Sequence, residues 1–310
     1  MRVRDLSYSL VVGTLATLGF VVLIGPVLIV LVTSFTLGRS IKFPPAGLSL
    51  QWYQLLFDPV RSSQIHRAAL NSLEVAVVAM IVATILATLA SVALARRAGA
   101  WVRALDTLFM SPLILPMLAF GLAALMYFTF LGFRPSLALI AAGHVVVVSP
   151  LVLRTTSASM AQLDPALLES SASLGAGWFY TFRRVTLPVI APGIVAGAFL
   201  AFVGSLDNVP ISLFLAGPRS DMLPIRMWGM MESMLDPRVA AVSGVLIAVV
   251  LVLMLVMERV VGLTRRLKMG GPEMAARLKM GGPEMAPLTP QRSSRPGEAV
   301  ARLDNHGGRA

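Results

Sequence analysis

Few side chains in this sequence are equipped to make or break bonds. Cysteine is absent, which removes thiol nucleophiles, disulfides and thiolate metal sites. The histidines, His66, His144 and His306, are far apart, and neither Gly-x-Ser-x-Gly nor His-Glu-x-x-His occurs. Lys42, Lys268 and Lys279 are the only lysines, and each precedes Phe or Met. No Gly-Lys-Ser/Thr loop is therefore present to cradle a nucleotide. What remains is chemistry of recognition. The stretch Asp164–Pro188, DPALLESSASLGAGWFYTFRRVTLP, is polar and helix-forming yet lies between long apolar runs. In it Glu169 is followed by Ser170 and Ser171, Gly175 comes six positions after the Glu, and Leu187-Pro188 comes twelve after the Gly. Two acids, Asp207 (beside Asn208) and Glu74, lie in or against apolar runs. A charged side chain at the centre of a bilayer-spanning helix costs about 2.5–3.5 kcal/mol, so an acid retained there has a role or a partner.

The polar stretch has a local fold written into it. Asp164 suits an N-cap and Pro165 the first helical position. Ala166 to Leu174 reads as a short helix stopped by Gly175. A second short helix, about Trp178–Arg184, leads to Leu187-Pro188, where the next apolar run starts. The expected product is a helix–turn–helix knob. Small side chains at Ser170, Ser171 and Ala172 permit close approach of a partner groove, and Glu169, Arg183 and Arg184 supply charge around it.

The elements that must carry this knob are apolar. Of 310 residues 56% are hydrophobic and only 13% charged, about half the charged share of soluble domains, and mean hydropathy is +0.80. A span needs about 20 mainly apolar residues. Six runs qualify, roughly Leu10–Phe35, Ala69–Ala95, Leu105–Leu131, Leu137–Leu153, Pro188–Leu206 and Val239–Leu263, the fifth extending as an option through Ile211–Ala216. The fold class is all-α, a polytopic membrane protein. Pro112, Pro116 and Pro150 fall inside runs and are expected to kink the third and fourth helices. The net charge of +11 would suggest nucleic acid in a soluble chain. Here the basic residues cluster at run ends and in the tail, so the partner is the lipid bilayer and no nucleic acid is expected.

The first run is too long for a signal h-region and reads as a retained helix. The Arg96-Arg97 pair, at the end of the second run, points to cytoplasmic termini. Segment 36–68 reads as an outer loop with a short Trp52/Tyr53 helix at headgroup level. From Thr264 onward the composition is basic and rich in Pro, Ser and Gly, and RLKMGGPEMA occurs twice, at Arg266 and Arg277. Residues 1–263 are read as the membrane domain and 264–310 as a disordered tail.

The spacing of Glu169, Gly175 and Leu187-Pro188 resembles the signature loop of ATP-binding-cassette (ABC) importer permeases, Glu-Ala-Ala-x3-Gly-x9-Ile-x-Leu-Pro. Ser170 and Ser171 replace the two Ala, and Val185 replaces Ile. Phe43-Pro-Pro, Asn71-Ser-Leu, Met110-Ser-Pro, Ser205-Leu-Asp-Asn and Phe214-Leu-Ala-Gly-Pro make the chain similar to the spermidine/putrescine permeases of the type I importers, over about residues 1–263. The resemblance implies six transmembrane helices with cytoplasmic coupling helices, and an extracytoplasmic solute-binding protein. It also implies a second homologous permease and a dimer of ATPase subunits that hold the ATP and Mg. The chain itself is then a translocation subunit and not an enzyme, with no cofactor or metal of its own. The residues implied in coupling are Glu169, Ser170, Ser171, Gly175, Leu187 and Pro188.

Asp207, Asn208 and Glu74 are the candidates for a solute path, suited to a polyamine or related cationic amine. Each acid has a second reading. Asp207 can instead cap a helix break before Pro210, and Glu74 can pair with an arginine of the outer loop. An importer for an opine, a phosphonate, iron or an amino-acid derivative shares this layout. A gradient-driven transporter leaves the signature spacing unexplained. A membrane enzyme lacks its catalytic cluster.

Overall fold

The structure, a computed structural model, describes residues 3–234 and 236–268. The first repeat enters the described residues only at 266–268, and the rest of the duplicated segment and of the tail, from 269 on, lies outside them. Twelve helices are described: α1 (Val3–Ser34), α2 (Gln51–Phe57), α3 (Ser63–Ala95), α4 (Ala100–Ile114), α5 (Met117–Phe130), α6 (Leu137–Met160), α7 (Pro165–Ser173), α8 (Trp178–Thr181), α9 (Leu187–Leu206), α10 (Val209–Leu215), α11 (Leu223–Met234) and α12 (Arg238–Lys268). Among the described residues five spans are long and apolar enough to cross a bilayer, and a sixth results if α4 and α5 count as one.

That sixth span is broken rather than kinked. The axes of α4 and α5 differ by 105°. Leu115 between them is extended, at φ −72° and ψ 139°. A residue before proline is driven out of the helical region, and Pro116 has no N–H to continue the ladder. Pro150, by contrast, is absorbed within α6, which runs on to Met160.

The centre of the bundle is the trio α3, α6 and α9. Ala83 and Ala87 of α3, Val148 and Val152 of α6 and Ala201 of α9 form one buried cluster. The α6–α9 approach depends on missing side chains. A Cβ at Gly193 would lie 2.5 Å from the Thr155 carbonyl oxygen, and one at Gly197 would lie 2.8 Å from the Val152 Cα. Hydrocarbon does not drive helices together by burial, so close backbone packing at small residues is what holds such a pair. Along α1 the span Leu10–Ser34 leaves its apolar side chains exposed from the rest of the chain, as a lipid-facing helix does.

Polar side chains tie the remaining elements to this trio. Ser72 Oγ of α3 accepts from the Leu223 N–H at 2.8 Å, and Asn71 Nδ2 donates to the Asp221 carbonyl at 2.9 Å. These bonds satisfy backbone groups at the entry to α11 that hydrocarbon would leave unpaired. Ala241 and Val242 of α12 pack with Leu56 of α2 and Ile65 of α3. The expected Trp52/Tyr53 helix is α2, and the Tyr53 hydroxyl lies 2.7 Å from Ser34 Oγ at the end of α1.

Candidate functional site

The polar stretch folds into the expected knob. Asp164 Oδ1 accepts from the Ala166 N–H at 2.9 Å, and Pro165 opens α7. At the other end the Gly175 N–H donates to Ala172 O at 2.9 Å and the Ala176 N–H donates to Ser171 O at 3.1 Å. This paired closure requires a left-handed residue, and Gly175 supplies it at φ +74°. Glu169 and Ser170 are exposed on α7, whereas Ser171 is buried. The Ser171 hydroxyl lies 2.8 Å from Thr181 Oγ1, so one of the two serines braces α7 against α8.

The second knob helix differs from expectation. It does not end before Leu187. A π-helical turn, Phe182–Thr186, carries α8 directly into α9, so Trp178–Leu206 is one continuous helical run. Pro188 has no N–H to bond the Arg184 carbonyl, and the wider π turn takes up that defect. Leu187 is half-buried and Pro188 exposed at the start of α9. The second helix of the knob and the span therefore form one continuous rod.

Beside the knob lies a groove of about 710 Å³ lined by Leu167, Ser171, Leu174, Gly175, Tyr180 and Arg184, among others. Leu174 is 87% exposed, and Phe179 and Tyr180 are more than half exposed. The groove is anchored to the bundle from below. The Arg96 guanidinium carbon stands 5.4 Å from the centre of the Trp178 ring, which stacks on Phe182 at 5.8 Å. Arg96 follows the last residue of α3, so the knob shares one end of the bundle with the Arg96-Arg97 pair.

The second site lies at the far end of α9, about 30 Å away for a 20-residue helix. There α9 stops and α10 restarts, so Ile211–Ala216 is not a continuation of the span. Asp207 ends α9, and its backbone N–H donates to Val203 O at 3.2 Å. The side chain that caps the break is that of Asn208, whose Oδ1 accepts from the Ile211 N–H at 3.1 Å. Asn208 is buried in this duty. Asp207 is free of it and exposed, and it lines a cleft of about 1000 Å³ between α9, α11 and α12. Glu74 is exposed on α3 and is not among the residues that line the cleft.

Sequence reasoning missed the other acid of the cleft. Glu232 lines it from α11 together with Trp228, whose Nε1 donates to Glu232 Oε1 at 2.6 Å. The signal was present as a Trp and a Glu four residues apart, one turn on the same helix face. His144 joins neither site. It is fully buried on α6 between Ser205 and Ser212. Among the described residues no group of three His, Asp or Glu is placed to hold a metal.

Residues 87–266 match the family described as binding-protein-dependent transport system inner membrane component. The chain belongs to that family. The permease is accordingly a multi-pass inner-membrane transport subunit of an ABC importer rather than its ATPase, and membership of the family implies a binding protein and an ATPase as partners in general. It is 31% identical over 242 residues to the putrescine transport system permease protein PotI of Escherichia coli (strain K12), covering 75% of this chain and 84% of that one. It is 28% identical over 231 residues to the spermidine/putrescine transport system permease protein PotC of the same organism, covering 74% and 86%. Its fold matches a chain of a bacterial ABC transporter involved in the import of the acidic polysaccharide alginate. The TM-score is 0.63 at 15% identity, over 85% of this permease and 98% of that chain.

Proposed function

We propose that this permease forms half of the path for a polyamine such as putrescine or spermidine, or a related cationic amine. A second homologous permease supplies the other half, and a dimer of ATPase subunits drives transport. The observation that carries the substrate reading is Asp207, a carboxylate left uncapped and exposed on the cleft wall. Its charge is in the right place to stabilise an ammonium group in a low-dielectric passage. The similarity to PotC and PotI supports the same substrate class.

Coupling runs through the knob. Glu169 and Ser170 face the ATPase groove, Ser171 and Gly175 hold the knob's shape, and Leu187-Pro188 joins it to α9. Closing of the ATPase dimer around ATP displaces the knob. The continuous Trp178–Leu206 run carries that displacement to the Asp207 break, and the cleft changes side. The knob and both termini then face the cytoplasm, and the entry to α3 faces the binding protein.

Uptake of labelled putrescine and spermidine by cells with and without the complete system tests this reading. Energy-dependent uptake that appears with the system and is competed by diamines is the expected result. Uptake of anionic or zwitterionic solutes in place of diamines would refute the substrate.

A further inference from the structure

Resting on the cationic-amine reading, we infer that Trp228 and Glu232 form an aromatic–carboxylate seat for one ammonium group of the solute, distinct from the charge at Asp207. Three observations converge on it. First, Trp228 lines the cleft with 57% of its surface exposed. An exposed indole on a cleft wall is within reach of whatever fills the cleft, and an indole ring face attracts organic cations. Second, the ring is tethered at its edge. Its Nε1 is engaged by Glu232 Oε1 at 2.6 Å, a short bond of the kind a charged acceptor makes. The same carboxylate thus tethers the ring and places negative charge at its edge.

Third, the lining around these groups is soft and apolar. Met227, Met231 and Met254 face the same cleft, and unbranched thioethers adapt to a methylene chain. A ring face, two separated carboxylates and a methionine lining suit an alkyl chain with ammonium groups along it. The same set offers little to an inorganic cation, which takes several oxygen ligands at once. The cleft is open, so the facing subunit closes over the seat when the solute is inside.

Three variants of the complete importer, assayed in cells lacking other polyamine uptake, separate the roles. Glu232→Gln keeps an oxygen to accept the indole N–H and removes the charge. Trp228→Phe keeps a ring face and removes the donor. Trp228→Leu removes the face. The expected result for Trp228→Leu is a rise in the putrescine KM of about 10-fold with maximal rate and membrane level held, between the exposed and the desolvated size of a cation–π contact. Trp228→Phe gives a smaller rise, and Glu232→Gln raises KM without changing membrane level. An unchanged KM in Trp228→Leu while the wild type takes up putrescine overturns the seat and leaves the polyamine reading standing. Loss of membrane level or of complex assembly in Trp228→Leu, with KM unchanged in Glu232→Gln, assigns Trp228 to a bilayer or subunit contact and overturns it too. A wild-type importer that moves no polyamine overturns both.

Discussion

His144 Nδ1 lies 2.7 Å from Ser205 Oγ, and the opposite ring nitrogen lies 3.1 Å from Ser212 Oγ. Ser205 belongs to the last turn of α9 and Ser212 to α10, so one imidazole on α6 spans the break that presents Asp207. All three side chains are fully buried. The break is therefore a built feature, fixed from behind by His144 and capped from within by Asn208.

Replacing His144 with Ala leaves two buried hydroxyls without their partner, a loss of about 2–4 kcal/mol at 1–2 kcal/mol each. The detergent-solubilised complex should melt several degrees lower. The triple change His144→Ala, Ser205→Ala, Ser212→Ala removes the orphaned hydroxyls and should recover part of that loss. A triple variant less stable than the single one by the sum of the separate costs would contradict the bridge.

The brace inside the knob is a smaller effect. Ser171→Ala removes the hydroxyl contact to Thr181, worth about 1 kcal/mol. Membrane level should be normal, and the ratio of ATP hydrolysed to solute moved should rise as the knob loosens. An unchanged ratio would show that Ser171 contributes nothing to rigidity there.

Much of the knob was legible in the sequence because capping is local. Asp164, Pro165 and Gly175 act on backbone groups within a turn of themselves, and each does what its type dictates. The spans were legible because apolar length is a property of the segment alone. Relations across the chain were not. Pro112 and Pro116 announced a disturbance, but not that α5 would turn by 105° and seat against α10, where Gly121 meets Pro210 and Phe214. Whether Asp207 or Asn208 caps the break depends on which side chain faces the Ile211 N–H, and hydropathy is blind to that. Glu232 escaped notice because α11 is short and mixed in polarity, so nothing along its own sequence marks the wall it faces.

The α6–α9 contact should be intolerant of volume. Gly197→Leu puts a branched side chain where a Cβ already meets the Val152 Cα at 2.8 Å. Separating the two helices should abolish accumulation of the protein in the membrane, measured by immunoblot of the membrane fraction. A Gly197→Leu permease present at wild-type level would refute the packing.

Gly175→Val tests coupling without touching the bundle. Among the described residues, its chain neighbours aside, nothing approaches within 4 Å of a Cβ built there, so the penalty is the left-handed backbone at φ +74°, about 1–2 kcal/mol for a residue with a side chain, and more when β-branched. The variant should reach the membrane in normal amount and lose ATP-driven uptake, as the α7 terminus reshapes. Normal uptake by a stably inserted Gly175→Val permease would remove the knob from the coupling path.

The most direct test of the account is the rate of labelled putrescine uptake into ATP-loaded proteoliposomes carrying the complete importer, compared between wild type and Asp207→Asn. The substitution keeps the size of the side chain and removes its charge, and Asn208 still caps α10. The account predicts putrescine uptake by the wild type and at least a 10-fold loss of uptake efficiency in the variant, at equal assembly. Equal efficiency in the two would show that the acid on the cleft wall does not meet the solute, and would contradict the account.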